Sequence, residues 1–112
     1  MSPRTAIGRM LLGASSAMRP RAEEELARYG PPSLLRGKRV LDVGCGYGRL
    51  AIGAARLAAS VVGMDPDAEA VSQARAKGRA IGLDNVRFEV GTAQELAFAD
   101  ASFDVVIFSW VL

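Results

Sequence analysis

The sequence has no histidine and one cysteine, Cys45. The first absence removes Ser-His-Asp and Cys-His catalysis and most catalytic zinc sites, and no metal centre is expected. The second rules out an internal disulfide, so a disulfide-built secreted fold is excluded and a reducing cytoplasm is the expected location. No apolar run reaches the ~18 residues that a membrane-spanning helix needs. Acidic residues are missing from the first 22 positions, which carry Arg4, Arg9, Arg19 and Arg21. Such a start suits a transit peptide, a phosphate-facing arm or a solvated helical face, and we expect the last. The apolar stretch Met10–Ala14 is too short for a secretory signal.

What remains is a chain of 112 residues, half of them hydrophobic and 23% charged. That fits one globular domain at most. Residues 1–39 hold eight Arg and Lys against three Glu, whereas residues 40–112 hold six against nine acids. The basic pI of 9.1 therefore arises in the N-terminal third.

Ile7, Met10, Leu11, Ala14 and Met18 fall at helical spacing and predict an amphipathic helix over 5–18. After Pro20 a short second helix is expected, with Glu23, Glu24 and Glu25 in its first turn, where acids suit the helix dipole. Gly30-Pro31-Pro32 ends it. The pattern then changes to strands alternating with helices. The expected strands are 39–43, 61–64 ending at Asp65, 86–90 and 103–109. Helices are expected over 47–59 and from Asp67, a plausible N-cap, to Gly82, a plausible C-terminal stop. The unbroken run Val105-Val106-Ile107-Phe108 suits a strand covered on both faces. This alternation implies right-handed βαβ units, a parallel sheet and an α/β fold.

The chemically informative stretch is Val40-Leu41-Asp42-Val43-Gly44-Cys45-Gly46-Tyr47-Gly48, between a strand and a helix. Glycines at alternate positions let the backbone bend sharply and approach a ligand with no Cβ in the way. The helix that starts there points N–H groups at the same space. The spacing is wrong for a dinucleotide fingerprint, whose last small residue would fall on Arg49. No Gly-Lys-Ser/Thr follows, so it is not a phosphate-binding P-loop either. Asp65 lies 23 residues after Asp42, at the end of the neighbouring strand. There a carboxylate can accept hydrogen bonds from a ribose diol, at roughly 1.5–3 kcal/mol each.

From about residue 38 onward the chain resembles the N-terminal half of a class I S-adenosylmethionine-dependent methyltransferase. The resemblance rests on VLDVGCGYGRL, VVGMDPD and VRFEVGTAQELAFADASFDVVIFSWVL in that order and spacing. The closing run is similar to the small-molecule branch that includes ubiquinone- and menaquinone-type enzymes. The resemblance implies a Rossmann-like, partial doubly wound parallel sheet with strand order 3-2-1-4. It divides the chain into an N-terminal helical cap, 1–37, and a truncated cofactor-binding half-domain, 38–112. S-adenosyl-L-methionine is the implied cofactor. Asp42 and the loop Gly44, Cys45, Gly46 and Gly48 would hold its methionine end, and Asp65 would take the ribose hydroxyls. Met64 or Pro66 would line the adenine. Thr92 stands where the family often has an acid for the adenine amine. The Ala93 N–H and the Gln94 side chain are the remaining candidates there. Ser109 falls where the fourth strand meets the methionine moiety. Methyl transfer needs mainly orientation of two reactants, which can account for ~7–11 kcal/mol of barrier. No general base is assigned.

The family's missing second half would leave the fourth strand as an apolar edge that invites pairing. We therefore expect a homodimer through the Phe103–Ser109 edge, or the N-terminal helices folded over it. The expected partner is a small-molecule methyl acceptor, with no membrane and no nucleic acid. Three alternatives are a non-catalytic module binding S-adenosylmethionine or S-adenosylhomocysteine, a nucleotide-dependent oxidoreductase, and a basic nucleic-acid-binding fragment. Cys45 is expected to be a small loop residue, and Tyr29 and Trp110 to pack against the fold. Tyr47 is open between loop packing and a cofactor contact.

Overall fold

Short β-branched runs, each followed by an Ala-rich segment, generate the architecture. The computed structural model describes residues 9–12, 22–27, 30–92 and 102–108. In chain order the elements are β1 (Arg9–Leu12), α1 (Ala22–Ala27), β2 (Arg39–Val43), α2 (Arg49–Ala55), β3 (Ser60–Asp65), α3 (Ala68–Ala80), β4 (Val86–Val90) and β5 (Val105–Phe108). A 3-10 turn at Pro32–Leu34 precedes β2. All pairings are parallel, and the order across the sheet is β1-β5-β2-β3-β4. The last four strands of that series are the expected 3-2-1-4 arrangement. Among the described residues no helix is long and apolar enough to cross a membrane.

The register brings Val40 beside both Val61 and Val105, and Val61 beside Val86. Parallel strands need cover on both faces. On the face under α2 and α3 the core comprises Val40, Val61, Val105 and Ile107 with Leu50, Ala54, Val71, Ala74 and Phe88. On the other face Leu41, Val43 and Val106 are equally buried. From Leu50 to Ala55 every residue of α2 is buried, and the small alanines let the helix lie close to the sheet. Helix α3 begins as its sequence predicts: the Asp67 carboxylate accepts from the Glu69 and Ala70 N–H groups at 3.0 and 3.3 Å. It stops before Gly82, which takes a left-handed φ of 77°.

The N-terminal segment departs from expectation. Residues 9–12, expected to be helical, form strand β1. They pair with β5 from Arg9 beside Val105 to Leu12 beside Phe108. A short apolar run fits either period, and the sequence alone does not choose. An open apolar strand edge does choose, because its N–H and C=O groups gain partners when a second strand lies alongside. The edge expected to need a second molecule is thus covered from within the chain by a strand, not by helices. The second expected helix is present as α1.

Two polar clamps set the frame below the site. The Arg39 guanidinium and backbone N–H hold the Asp104 carboxylate at 2.9–3.2 Å, and the Asp104 N–H returns a bond to the Arg39 carbonyl at 2.7 Å. The partnership with Asp104 raises the Arg39 pKa, chiefly through that hydrogen bond. At the other flank the Asn85 amide donates to the Ala55 and Ala58 carbonyls at 2.8 and 3.1 Å. Those carbonyls close α2, whose last turn has no following helix to use them.

Candidate cofactor crevice

The strand β2 delivers Asp42 to the base of the glycine bend, fully buried. Its Oδ2 makes no hydrogen bond, while the residue has other interactions. The chain then turns through Gly44, Gly46 and Gly48, all at positive φ of 77°, 55° and 91°. L-residues reach this region only at a cost of roughly 1–2 kcal/mol each, which explains the alternating glycines.

These glycines divide the labour. A Cβ at Gly46 would meet nothing within 4 Å, so this point of the bend faces open space. A Cβ at Gly48 would come within 2.9 Å of Phe88 Cζ and 3.0 Å of Ala74. The Cβ position of Gly48 therefore faces inward, and its lack of a side chain lets α2 approach α3 and β4. Gly63 does the same from β3, where a Cβ would lie 2.7 Å from the Phe88 ring and 3.0 Å from the Cys45 sulfur. Phe88 and Gly63 lie within the quoted runs but are not among the expected site residues. The one available signal was alternation in β4, which places Phe88 on the core face.

The loop's donors are largely spent within the protein. Gly44 and Cys45 N–H both donate to the Met64 carbonyl, at 2.8 and 3.0 Å, and Gly48 N–H donates to the Cys45 carbonyl at 2.9 Å. Gly46 N–H donates to Asp65 Oδ2 at 2.9 Å. These bonds make the bend itself a preformed shape. That suits a ligand recognised by close approach and not a pyrophosphate, which needs open donors.

Asp65 ties the two motifs together. Besides Gly46, it accepts the Asp67 N–H on Oδ1 at 2.9 Å. A carboxylate has about four lone-pair positions, so each oxygen keeps room for one more donor. Asp65 is buried at the end of β3, where Gly91 N–H donates to its carbonyl at 3.0 Å. That bond brings exposed Thr92 to the same rim. Pro66 is exposed beside Asp65, and Tyr47 is half exposed on the bend. The Met64 side chain packs with Leu41, Val43 and Val106 on the opposite sheet face from the helices. Ala93, Gln94 and Ser109 lie outside the described residues, as do Tyr29 and Trp110.

Two carboxylates, Asp42 and Asp65, act on the bend. Burial pushes the Cys45 thiol pKa far up, and the charges of Asp42 and Asp65 push it further. The thiol is therefore protonated at neutral pH, which matches its reading as a small loop residue. The same two carboxylates favour a cationic ligand.

A family model described as a methyltransferase domain matches residues 40–112. A ubiquinone biosynthesis O-methyltransferase of Rhizobium etli is 45% identical over 73 residues, which are 65% of this chain and 29% of that protein. The crystal structure of YcgJ from Bacillus subtilis is similar with a TM-score of 0.61 at 38% identity, covering 64% of this chain and 31% of that one. The Trypanosoma brucei PRMT1 enzyme–prozyme complex with AdoHcy is similar with a TM-score of 0.58 at 36% identity, covering 70% of this chain and 26% of that one. This chain thus spans less than a third of the length of each. With most of its described sheet and the whole glycine bend inside the matched region, the chain belongs to the class I S-adenosylmethionine-dependent methyltransferase family.

Proposed function

We propose that residues 38–112 form the cofactor-binding part of a methyltransferase that uses S-adenosyl-L-methionine and acts on a small molecule. The observation that supports this most directly is the joining of a glycine bend to a buried acid: Gly46 N–H on Asp65 Oδ2, with Asp42 beneath. Arg49, at the last small position of the dinucleotide fingerprint, disfavours a nicotinamide dinucleotide. The Asp42 and Asp65 carboxylates favour a nucleoside that bears a sulfonium and an ammonium.

In this reading the remaining lone pairs of Asp65 accept the ribose hydroxyls. The open side of Gly46 admits the methionine portion, and Asp42 supplies the compensating charge. Gly44 and Cys45 shape the bend, and Gly48 supports it from behind. Met64 contributes the carbonyl that anchors the bend, while Pro66 and Thr92 flank the adenine end together with Ala93 and Gln94. Ser109 follows β5 toward the methionine end. The bound sulfonium supplies an activated methyl group. That methyl group would be open to in-line transfer to an acceptor held opposite the sulfonium. The protein's part is alignment. A hydroxyl acceptor is the first to test, given the O-methyltransferase named among the relatives.

The single buried thiol favours a reducing, cytoplasmic setting. Self-association through the 103–109 edge would require β1 to leave it, so a monomer with β1 in place is the favoured form.

Calorimetry tests the reading. S-adenosylhomocysteine is expected to bind and NAD to show no heat of binding. The 2′-deoxy analogue of S-adenosylhomocysteine is expected to bind at least tenfold more weakly, one lost charge-assisted hydrogen bond being about 1.5–3 kcal/mol. Changing the ligand leaves the loop's own hydrogen bonds to Asp65 intact. Equal affinity for the two nucleosides would remove Asp65 as a ribose contact.

A further inference from the structure

Away from the glycine bend, α3 and β4 flank an open cavity of about 330 Å³. Three arginines and one acid line it: Arg75 and Arg79 from α3, and Arg87 and Glu89 from β4. Arg75 and Arg79 are four residues apart and so share one helix face. The apolar part of the lining is Leu83, Val86 and Phe88. Neither Leu83 nor Val86 is fully buried, whereas Phe88 is.

The charges are unequally committed. Arg87 pairs with Glu89 at 2.8 Å, both well exposed. Among the described residues Arg79 makes no ion pair. Arg75 donates only its Nε, to the Phe88 carbonyl at 3.0 Å. That bond ties the Arg75 guanidinium to β4 beside the cavity. Two positive charges therefore stand over an apolar floor, and the one carboxylate in the lining, Glu89, is already paired with Arg87.

The same bond argues against an added strand at this sheet edge. Val61 N–H donates to the Asn85 carbonyl, and Gly91 N–H donates to the Asp65 carbonyl. By alternation, Val86, Phe88 and Val90 turn their backbone groups to the open side of β4. Arg75 occupies the Phe88 carbonyl in the middle of that row. An extended peptide pairing there would have to displace it.

We propose that this cavity binds an organic phosphate: the phosphate on Arg75 and Arg79, its apolar or aromatic body on Leu83 and Val86. Guanidinium forks match phosphate oxygens, and two uncompensated cations match a dianion. The floor separates this ligand from inorganic phosphate, which has no body to bury. The site is independent of the methyl-transfer reading.

Phenyl phosphate is a suitable probe, titrated into the full chain and followed by amide NMR. Saturable shifts are expected at Gly78, Arg79, Leu83 and Arg87, with little change at Gly44 or Gly46. Inorganic phosphate and phenol should each bind at least fivefold more weakly than phenyl phosphate. Arg79→Gln, on an exposed helix position, should weaken phenyl phosphate at least fivefold while the melting temperature stays unchanged. Arg75→Lys keeps a cation and loses the fork, and should weaken it as well. Absent or non-saturating shifts, equal binding of phenyl and inorganic phosphate, or unchanged affinity in Arg79→Gln would overturn the proposal. So would a single-stranded oligonucleotide that binds this face and is not displaced by phenyl phosphate, which would make the face a nucleic-acid surface.

Discussion

Gly46 and Gly48 have nearly the same backbone hand but opposite surroundings, and alanine substitution separates them. Gly46→Ala incurs the left-handed backbone cost of roughly 1–2 kcal/mol, and its methyl projects into open space. It should fold, with a slightly lower melting temperature, and lose at least tenfold in S-adenosylhomocysteine affinity. Gly48→Ala incurs the same backbone cost and drives a methyl against Phe88 and Ala74. Overpacking adds ~1–3 kcal/mol, so the loss should appear first in chemical denaturation. Cys45 makes a third test at this scale. Its pKa is raised in the folded chain from an ordinary value of 9.0. The unfolded chain therefore releases the thiol proton first as pH rises. The contribution of Cys45 to stability is present below pH 9 and declines above it. Urea midpoints at pH 8 and pH 10 should differ more for the native sequence than for Cys45→Ala.

Among the elements, the joint between α2 and β4 depends on one side chain. Asn85 closes two carbonyls at the end of α2 and lends its own carbonyl to Val61 N–H on β3. Asn85→Ala keeps the backbone bond and removes the two amide bonds. The expected cost is about 1–3 kcal/mol, from two net hydrogen bonds of ~0.5–1.5 each. Denaturant unfolding measures it, and an unchanged midpoint would mean that water replaces the amide fully. Asn85 falls between the expected helix and strand, where the local pattern assigns it no role. That a turn residue caps a helix 27 to 30 residues earlier follows from the crossover, which no local pattern records. Helix α3 is the contrary case: its cap, apolar face and Gly82 stop lie in one continuous segment and were readable there.

For the whole molecule the decisive pairing is β1 with β5, across nearly the full sequence. Removing residues 1–12 should uncover the Val105–Phe108 edge. Light scattering across a concentration series should then show association that the full chain lacks. A truncated chain that stays monomeric would mean that β1 does not protect the edge. The central clamp acts at the same scale, since Arg39 and Asp104 join β2 to β5 across 65 positions.

The sequence by itself determined the parallel α/β order, the glycine bend and the acid beside it. These depend on local period, backbone hand and a fixed crossover, all written in contiguous residues. Only the tertiary structure decided that residues 9–12 are a strand, that Gly48 serves packing, and that Asp65 already holds Gly46. Each of those outcomes depends on which distant atoms occupy the adjoining space. A short apolar run, a glycine or a carboxylate has several equally good local uses until the rest of the chain closes around it.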